Sequence, residues 1–211
     1  MARIADPGMR ARILDAADRL LARRGFRRMT VETVAREAGI AKGSVYLHFA
    51  SKEDVALSCI DRMAGGVIAR LERTAASRRT ARARLGAMLR DRVLERFDYA
   101  RHHAPSIDEK LAVMRQALLD RRAGHFDDEA AVIARVVAEG VTAGEFDARA
   151  PERVARALVT ATNALLPYSL SVRELGARAP LARRLDDLVA LLLAGLDSSR
   201  RPSPTPSRRP A

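Results

Sequence analysis

Apolar and polar positions alternate with a helical period along almost the whole chain. Asp6-Pro7 offers a capping carboxylate followed by a proline at a first helical position. Met9, Ile13, Ala16, Ala17, Leu20 and Leu21 then share one face up to about Arg24. Gly25 stops this helix and Phe26 folds back into a small core. Thr30 to Lys52 carries the densest signal. Val31, Val34, Ala35 and Ala38 recur at helical spacing behind Thr30, whose hydroxyl is placed to cap the first amides. Gly39 ends that helix where a positive φ is commonly needed, and Ile40 plugs the turn. A second short helix runs from Ala41 to His48, with Val45 and Phe49 facing inward. Helix, glycine turn, helix is the pattern whose second member lies in the DNA major groove.

A long helix follows from Ser51 to about Glu72, roughly 33 Å by the standard rise, with Val55, Cys59, Arg62, Met63 and Ile68 inward. Gly65-Gly66 interrupts it, either as a kink or close approach or as a tolerated weakness of about 1 kcal/mol per glycine. Residues 73–84 are arginine-dense and read as a linker or helix start, on a solvated face or near the DNA backbone. Leu85, Met88, Leu89, Val93 and Phe97 mark a helix from Ala81 to Tyr99. Pro105-Ser106 opens another through Ile107, Leu111, Met114 and Leu118. A third is expected after Gly124, with Asp127, Asp128 and Glu129 in its first turn, where acids favour the helix dipole. It runs through Val132, Ile133, Val136 and Val137 to a stop near Gly140–Gly144. Ala150-Pro151 starts a helix to about Tyr168, and Pro180 precedes the last, ending at Leu196. Val154, Leu158, Ala161 and Leu165 stripe the first of these. Leu181, Leu185, Leu188, Leu192 and Leu196 stripe the second, which is apolar on so many sides that it needs more than one cover.

Composition narrows the function. The chain of 211 residues carries a formal net charge of +12, which suits a polyanionic partner. Residues 1–50 hold ten Lys and Arg against five Asp and Glu, a net +5. A single cysteine, Cys59, excludes an intramolecular disulfide framework and fits a reducing cytosol. The charged N-terminus does not read as a signal peptide, and no apolar run approaches the ~20 residues that span a bilayer. These features give a cytoplasmic protein with no membrane partner. His102-His103 are adjacent and share no helix face, so they make a poor metal pair, and the acids after His125 already have a helix-start role. No phosphate loop, zinc-ligand spacing or nucleophile elbow is present, so neither a metal, a cofactor nor catalysis is expected.

The outward residues of the second short helix are suited to a phosphate-lined groove. Lys42 supplies a cation, Ser44 and Tyr46 offer hydroxyls, and Gly43 admits close backbone approach. Lys42, Gly43, Leu47 and His48 are the candidate base readers, with Lys52 and the Ser51 helix start at a further phosphate and Thr30 completing the DNA-contacting set. Arg3 precedes all of these in a short arm.

Gly25-Phe26, Thr30-Val31, Val34-Ala35, Ala38-Gly39, Lys42 to Tyr46, His48-Phe49 and Ser51-Lys52-Glu53 together resemble the signature of the TetR family of transcriptional regulators. Ala41 departs from it, since the family often carries serine there. The resemblance implies an all-α protein with an N-terminal three-helix DNA-binding domain (residues 1–50). A long helix would join it to a helical effector-binding and dimerisation domain (51–197), followed by a disordered basic tail (198–211). It implies a homodimeric repressor on a pseudo-palindromic operator, released by a small apolar or amphipathic effector. Candidate effector contacts are Met88, Arg92, Phe97, Met114, Leu118, Val137, Asn163 and Tyr168. Among these, Asn163 is an amide within an apolar stripe and wants a partner. The stripes Val154, Leu158, Ala161, Leu165 and Leu181, Leu185, Leu188, Leu192 are expected to form half of a four-helix dimer interface, with an intrachain core as the competing use. A sequence-indifferent basic DNA-binding protein and a helical enzyme are the alternative functions.

Overall fold

The computed structural model describes residues 7–166 and 176–197, with side chains for all of these except Pro7 and 104–115. Met114 is therefore placed only by its backbone, and Tyr168, the arm carrying Arg3 and the 198–211 tail lie outside the described residues. The described residues form eight helices: α1 Pro7–Arg28, α2 Val31–Ala38, α3 Lys42–Tyr46, α4 Lys52–Ala75, α5 Ala81–His102, α6 Ala104–Thr142, α7 Pro151–Asn163 and α8 Arg178–Gly195. The only β-type pairing among them is an isolated bridge between Phe146 and Asp197. The fold is all-α, as the periodicity predicts.

Two apolar cores divide these helices. One gathers Ile13, Leu21, Phe26, Val34, Val45 and Phe49 with the first turns of α4, and forms the head. The other packs α5, α7, α8 and the later turns of α4 and α6 around Leu85, Met88, Ile133, Leu158 and Leu185, and forms the body. Gly25 breaks α1 at φ 77°, ψ 170°, so the chain reverses there and Phe26 enters the head core.

Helix α6 departs most from the sequence pattern. Two helices separated at Gly124 were expected, and a single helix of 39 residues is found. Gly124 is exposed, and a Cβ there would meet nothing within 4 Å, so the glycine punctuates no turn. Packing of α6 against α1, α4, α5 and α7 outweighs its weak local propensity. Asp127, Asp128 and Glu129 consequently lie inside a helix rather than in its first turn. The real stop lies beyond Gly140, which a Cβ could not occupy without colliding with the Phe146 ring and Ala81.

Gly65 and Gly66 neither kink α4 nor receive a neighbour: the helix runs through them and a Cβ at either meets open space. Arg73 lies near the far end of α4, roughly 32 Å from its first residue by helical rise, and Arg78 and Arg79 follow the helix. Helix α5 gains a cap from a distant residue. The Glu145 carboxylate accepts the Ala81 and Arg82 amides, each at 2.9 Å. Those two backbone bonds, Arg82 first, hold Glu145 below the usual carboxylate range.

Candidate nucleic-acid interface

Local chemistry sets the α2–α3 unit. The Thr30 hydroxyl accepts the Thr33 amide at 3.1 Å, and the Thr33 hydroxyl accepts the Thr30 amide at 3.0 Å, a reciprocal box at the start of α2. Gly39 adopts φ 66°, ψ 40°, and the Ile40 amide reaches back to the Ala35 carbonyl at 3.0 Å. Arg12 of α1 donates to the Ala38 carbonyl at 2.9 Å, and Arg19 and Arg23 clasp Glu37. The first helix therefore fixes the angle of α2.

Helix α3 is shorter than expected. It spans Lys42–Tyr46, Leu47 closes it, and His48 follows in the turn. Ala41 precedes it with no side-chain cap, the consequence of the missing serine hydroxyl. Val45 and Phe49 are buried in the head core while Tyr46 is 52% and Leu47 66% exposed. Lys42 and Gly43 are also exposed, with Ser44 and His48 half-buried beside them. A Cβ on Gly43 would meet nothing within 4 Å, so no neighbour inside the protomer demands glycine there. The five-residue helix and its C-cap thus gather a cation, two hydroxyls, a bare backbone and an exposed leucine.

Two expected contacts serve other purposes. The Lys52 ammonium sits 3.5 and 3.4 Å from the Phe26 and Met29 carbonyls and 4.4 Å from the Phe26 ring centroid. It clasps the end of α1 to α4 instead of standing free at the DNA end. Ser51 accepts the Asp54 amide at 3.1 Å while the Asp54 carboxylate accepts the Ala50 amide at 3.0 Å, so these amides of the α4 start are already engaged.

The expected effector and interface residues are scattered. Met88, Phe97 and Val137 are core of the body, whereas Leu118 packs into the head core. Arg92 and Asn163 do meet. Arg92 Nη2 donates to Asn163 Oδ1 at 2.9 Å, Nε to Glu129 Oε2 at 2.6 Å, and Nη1 to the Thr162 hydroxyl. Arg96 binds the other Glu129 oxygen and donates to the Arg92 carbonyl at 3.0 Å. Arg92 and Glu129 are both 0% exposed. Burial, then the neighbouring Arg96 charge, pulls the Arg92 guanidinium pKa below its ordinary value against the opposing pull of Glu129. Sequence reasoning missed Arg96, because its partner is 33 residues away. Leu158, Leu181 and Leu185 are buried inside the protomer, so they are unavailable to a second chain. Val154, Ala161, Leu165, Leu188 and Leu192 are half-buried, and Leu191 beside them on α8 is 72% exposed.

Among the described residues no group of three or more His, Cys, Asp or Glu is placed to hold a metal ion. His103 instead stacks on Tyr99 and lies 3.2 Å from Asp18, and His125 lies 3.2 Å from Asp61. Burial of Asp18 pushes its pKa up, but hydrogen bonds from His103 and Tyr99 and the His103 and Arg62 charges outweigh it and hold the carboxyl low. No described helix is long and apolar enough to cross a membrane.

Residues 13–59 match the model for bacterial regulatory proteins of the tetR family, and residues 76–189 match the tetracyclin repressor-like C-terminal domain. The chain belongs to the TetR family. It is a DNA-binding transcriptional regulator, which points away from an enzyme. The fatty acid metabolism regulator protein of Bacillus subtilis is a TetR-like relative, 27% identical over 157 residues, 71% of this chain and 77% of that protein. A transcriptional regulator from Cytophaga hutchinsonii superposes with a TM-score of 0.72 at 19% identity, covering 88% of this chain and 96% of that one. FadR from Bacillus subtilis, solved in complex with stearoyl-CoA, superposes at 0.63 with 20% identity, covering 88% and 98%. These structural likenesses carry the TetR fold and nothing finer.

Proposed function

We propose that the protein is a homodimeric repressor that places α3 of each protomer in successive major grooves of a pseudo-palindromic operator and leaves it when a small effector occupies the body. The head spans 1–50 and the effector-binding and dimerisation body 51–197. The observation that supports this most is the divided α3: Val45 is buried, while Lys42, Gly43, Tyr46 and Leu47 stand exposed on a rigid frame. Exposed apolar and aromatic side chains beside a cation are costly to leave in water and well matched to a groove edged by phosphates and thymine methyls. Thr30, Ser44 and His48 flank that face.

For the dimer, the support is Leu191 with half-buried Leu188 and Leu192 on α8, Ala161 on α7 and Leu165 just beyond its end. Leu191→Asp is expected to give monomers in sedimentation velocity, and a dimer that persists refutes this face.

Selection of duplexes from a random pool by the purified protein tests the reading. The expected product is a pair of half-sites about 34–36 Å apart, preferred over random duplex by at least ~10³-fold. Lys42→Ala should lower affinity and reduce the salt slope by about one charge, and Tyr46→Phe should weaken all sequences alike. Equal competition by random DNA overturns operator recognition and favours a sequence-indifferent binder. A selected operator held equally by every small molecule tested overturns release.

A further inference from the structure

The body holds an ionic cluster inside its apolar core. Two guanidiniums, Arg92 and Arg96, share the single carboxylate of Glu129, and all three are buried. Neither guanidinium reaches another carboxylate among the described residues; Thr162, Asn163 and backbone carbonyls supply neutral acceptors. Counted over the described residues, the cluster keeps a surplus positive charge in a low-dielectric interior. A buried ionic group usually gives way to apolar side chains of similar volume without loss of stability, so an unbalanced one calls for a further partner. The Phe126 ring gathers cations as well: Arg92, Arg96 and Arg122 lie 5.4, 5.7 and 5.6 Å from its centroid. Phe126, Arg122 and Asn163 are half-buried, so on this side the cluster reaches the surface.

We propose that this cluster receives the anionic group of the effector, a carboxylate or phosphate monoester carried on an apolar skeleton. The inference rests on the effector-released reading above and names the chemical class of that effector. The planar fork of arginine matches both anions in paired hydrogen bonds, which a neutral or cationic head group cannot provide. An apolar skeleton suits the surroundings, because α5 also carries Met88, Leu89, Val93 and Phe97, all buried.

Occupancy also has a route to the head. Glu129 and Phe126 lie on α6, the helix whose Leu118 enters the head core. One to two turns before Glu129, Arg121 and His125 of the same helix grip Asp61 of α4, and Arg121 lies 3.6 Å from Asp54, the residue that caps α4 directly after the groove-facing segment. An anion that takes donors from Arg92 and Arg96 loosens their hold on Glu129 and so on α6.

The test uses the full chain on its selected operator, followed by fluorescence anisotropy, with decanoate, decyl phosphate, decanol and decyltrimethylammonium as probes below their micellar concentrations. At least one anion should weaken operator binding by about tenfold or more, with decanol and the cation inert, and whichever anion acts identifies the head group. Arg122→Gln, a change at the rim, should bind the operator like the parent and melt within a few degrees of it, yet need about tenfold more anion for the same release. Release by decanol equal to that by the anions overturns the anionic class while leaving effector release intact. Failure of all four probes, or an Arg122→Gln protein with unchanged anion response, overturns the proposal. Failure to select any operator sinks the underlying reading instead.

Discussion

The head and the body bury charge in opposite ways. In the head, Ile13, Leu21, Phe26, Val34, Val45 and Phe49 close a hydrocarbon core, and the arginines of α1 are spent on its rim: Arg12 on a helix end, Arg19 and Arg23 on Glu37. In the body, Arg92 and Arg96 are carried into the interior with Glu129. A hydrocarbon core over short sequence distances gives one rigid shape, which suits a part that must match a fixed DNA groove. A core with an ionic centre assembled from α5, α6 and α7 is sensitive to whatever else brings charge to it. On the proposed reading, the difference separates a part that stays constant from a part that responds.

Removing the shared carboxylate strikes this contrast hardest. Glu129→Ala leaves two buried guanidiniums facing each other, and breaking a buried pair in this way costs about 3–5 kcal/mol. Urea unfolding should show that loss, while the isolated change Glu37→Ala at the rim of the head should shift the midpoint far less, because its partners are exposed. Comparable losses at the two sites would erase the distinction between the regions.

Gly140→Ala is next in size. Its Cβ would press into the Phe146 ring and against Ala81, at the joint where α6 ends over the start of α5. Overpacking of this kind costs about 1–3 kcal/mol, read as a lower melting temperature with the head's DNA affinity kept. Glu145→Gln at the same joint removes a charged cap from α5, worth about 0.5–2 kcal/mol. Its sign with pH follows from the depressed carboxyl. Stability from Glu145 is complete above the pKa it has in the unfolded chain and drains away as pH falls through the lower folded value. The parent should therefore lose more stability on acidification than Glu145→Gln, and parallel acid curves for the two would deny the cap its role.

The head was legible because its determinants are neighbours in sequence. Thr30 caps three residues ahead, Gly39 turns the chain where it stands, and Val45 and Phe49 are one helical turn apart. The intrachain hold on Lys52 was not legible, because its carbonyl partners at Phe26 and Met29 lie on the far side of the α2–α3 unit. The body was legible as helices but not as a structure. Gly124 with three acids after it has the local form of a helix start, and only the packing of α6 along its length shows that the helix continues. Glu129 meets Arg92 and Arg96 at separations of 37 and 33 residues, beyond any helical period. Leu158, Leu181 and Leu185 look the same in a stripe whether a stripe covers its own core or another chain's, so periodicity alone could not divide the interior leucines from exposed Leu191.

The smallest effect concerns the rod between the two regions. If α4 bent at Gly65-Gly66, alanine there would stiffen the path from body to head and alter release. The helix instead continues unbroken through both glycines, and a Cβ at either meets open space. Gly66→Ala should then act on the unfolded chain alone, stabilising by about 0.4–1 kcal/mol with no strain to offset the gain. A small rise in melting temperature with unchanged operator affinity and unchanged effector response would locate the coupling in α6, where Leu118 enters the head core, Arg121 and His125 hold Asp61 of α4, and Glu129 touches the body's charge. A loss of effector response in Gly66→Ala would return it to α4, and the opposition between a constant head and a responsive body would then have to include the rod as a moving part.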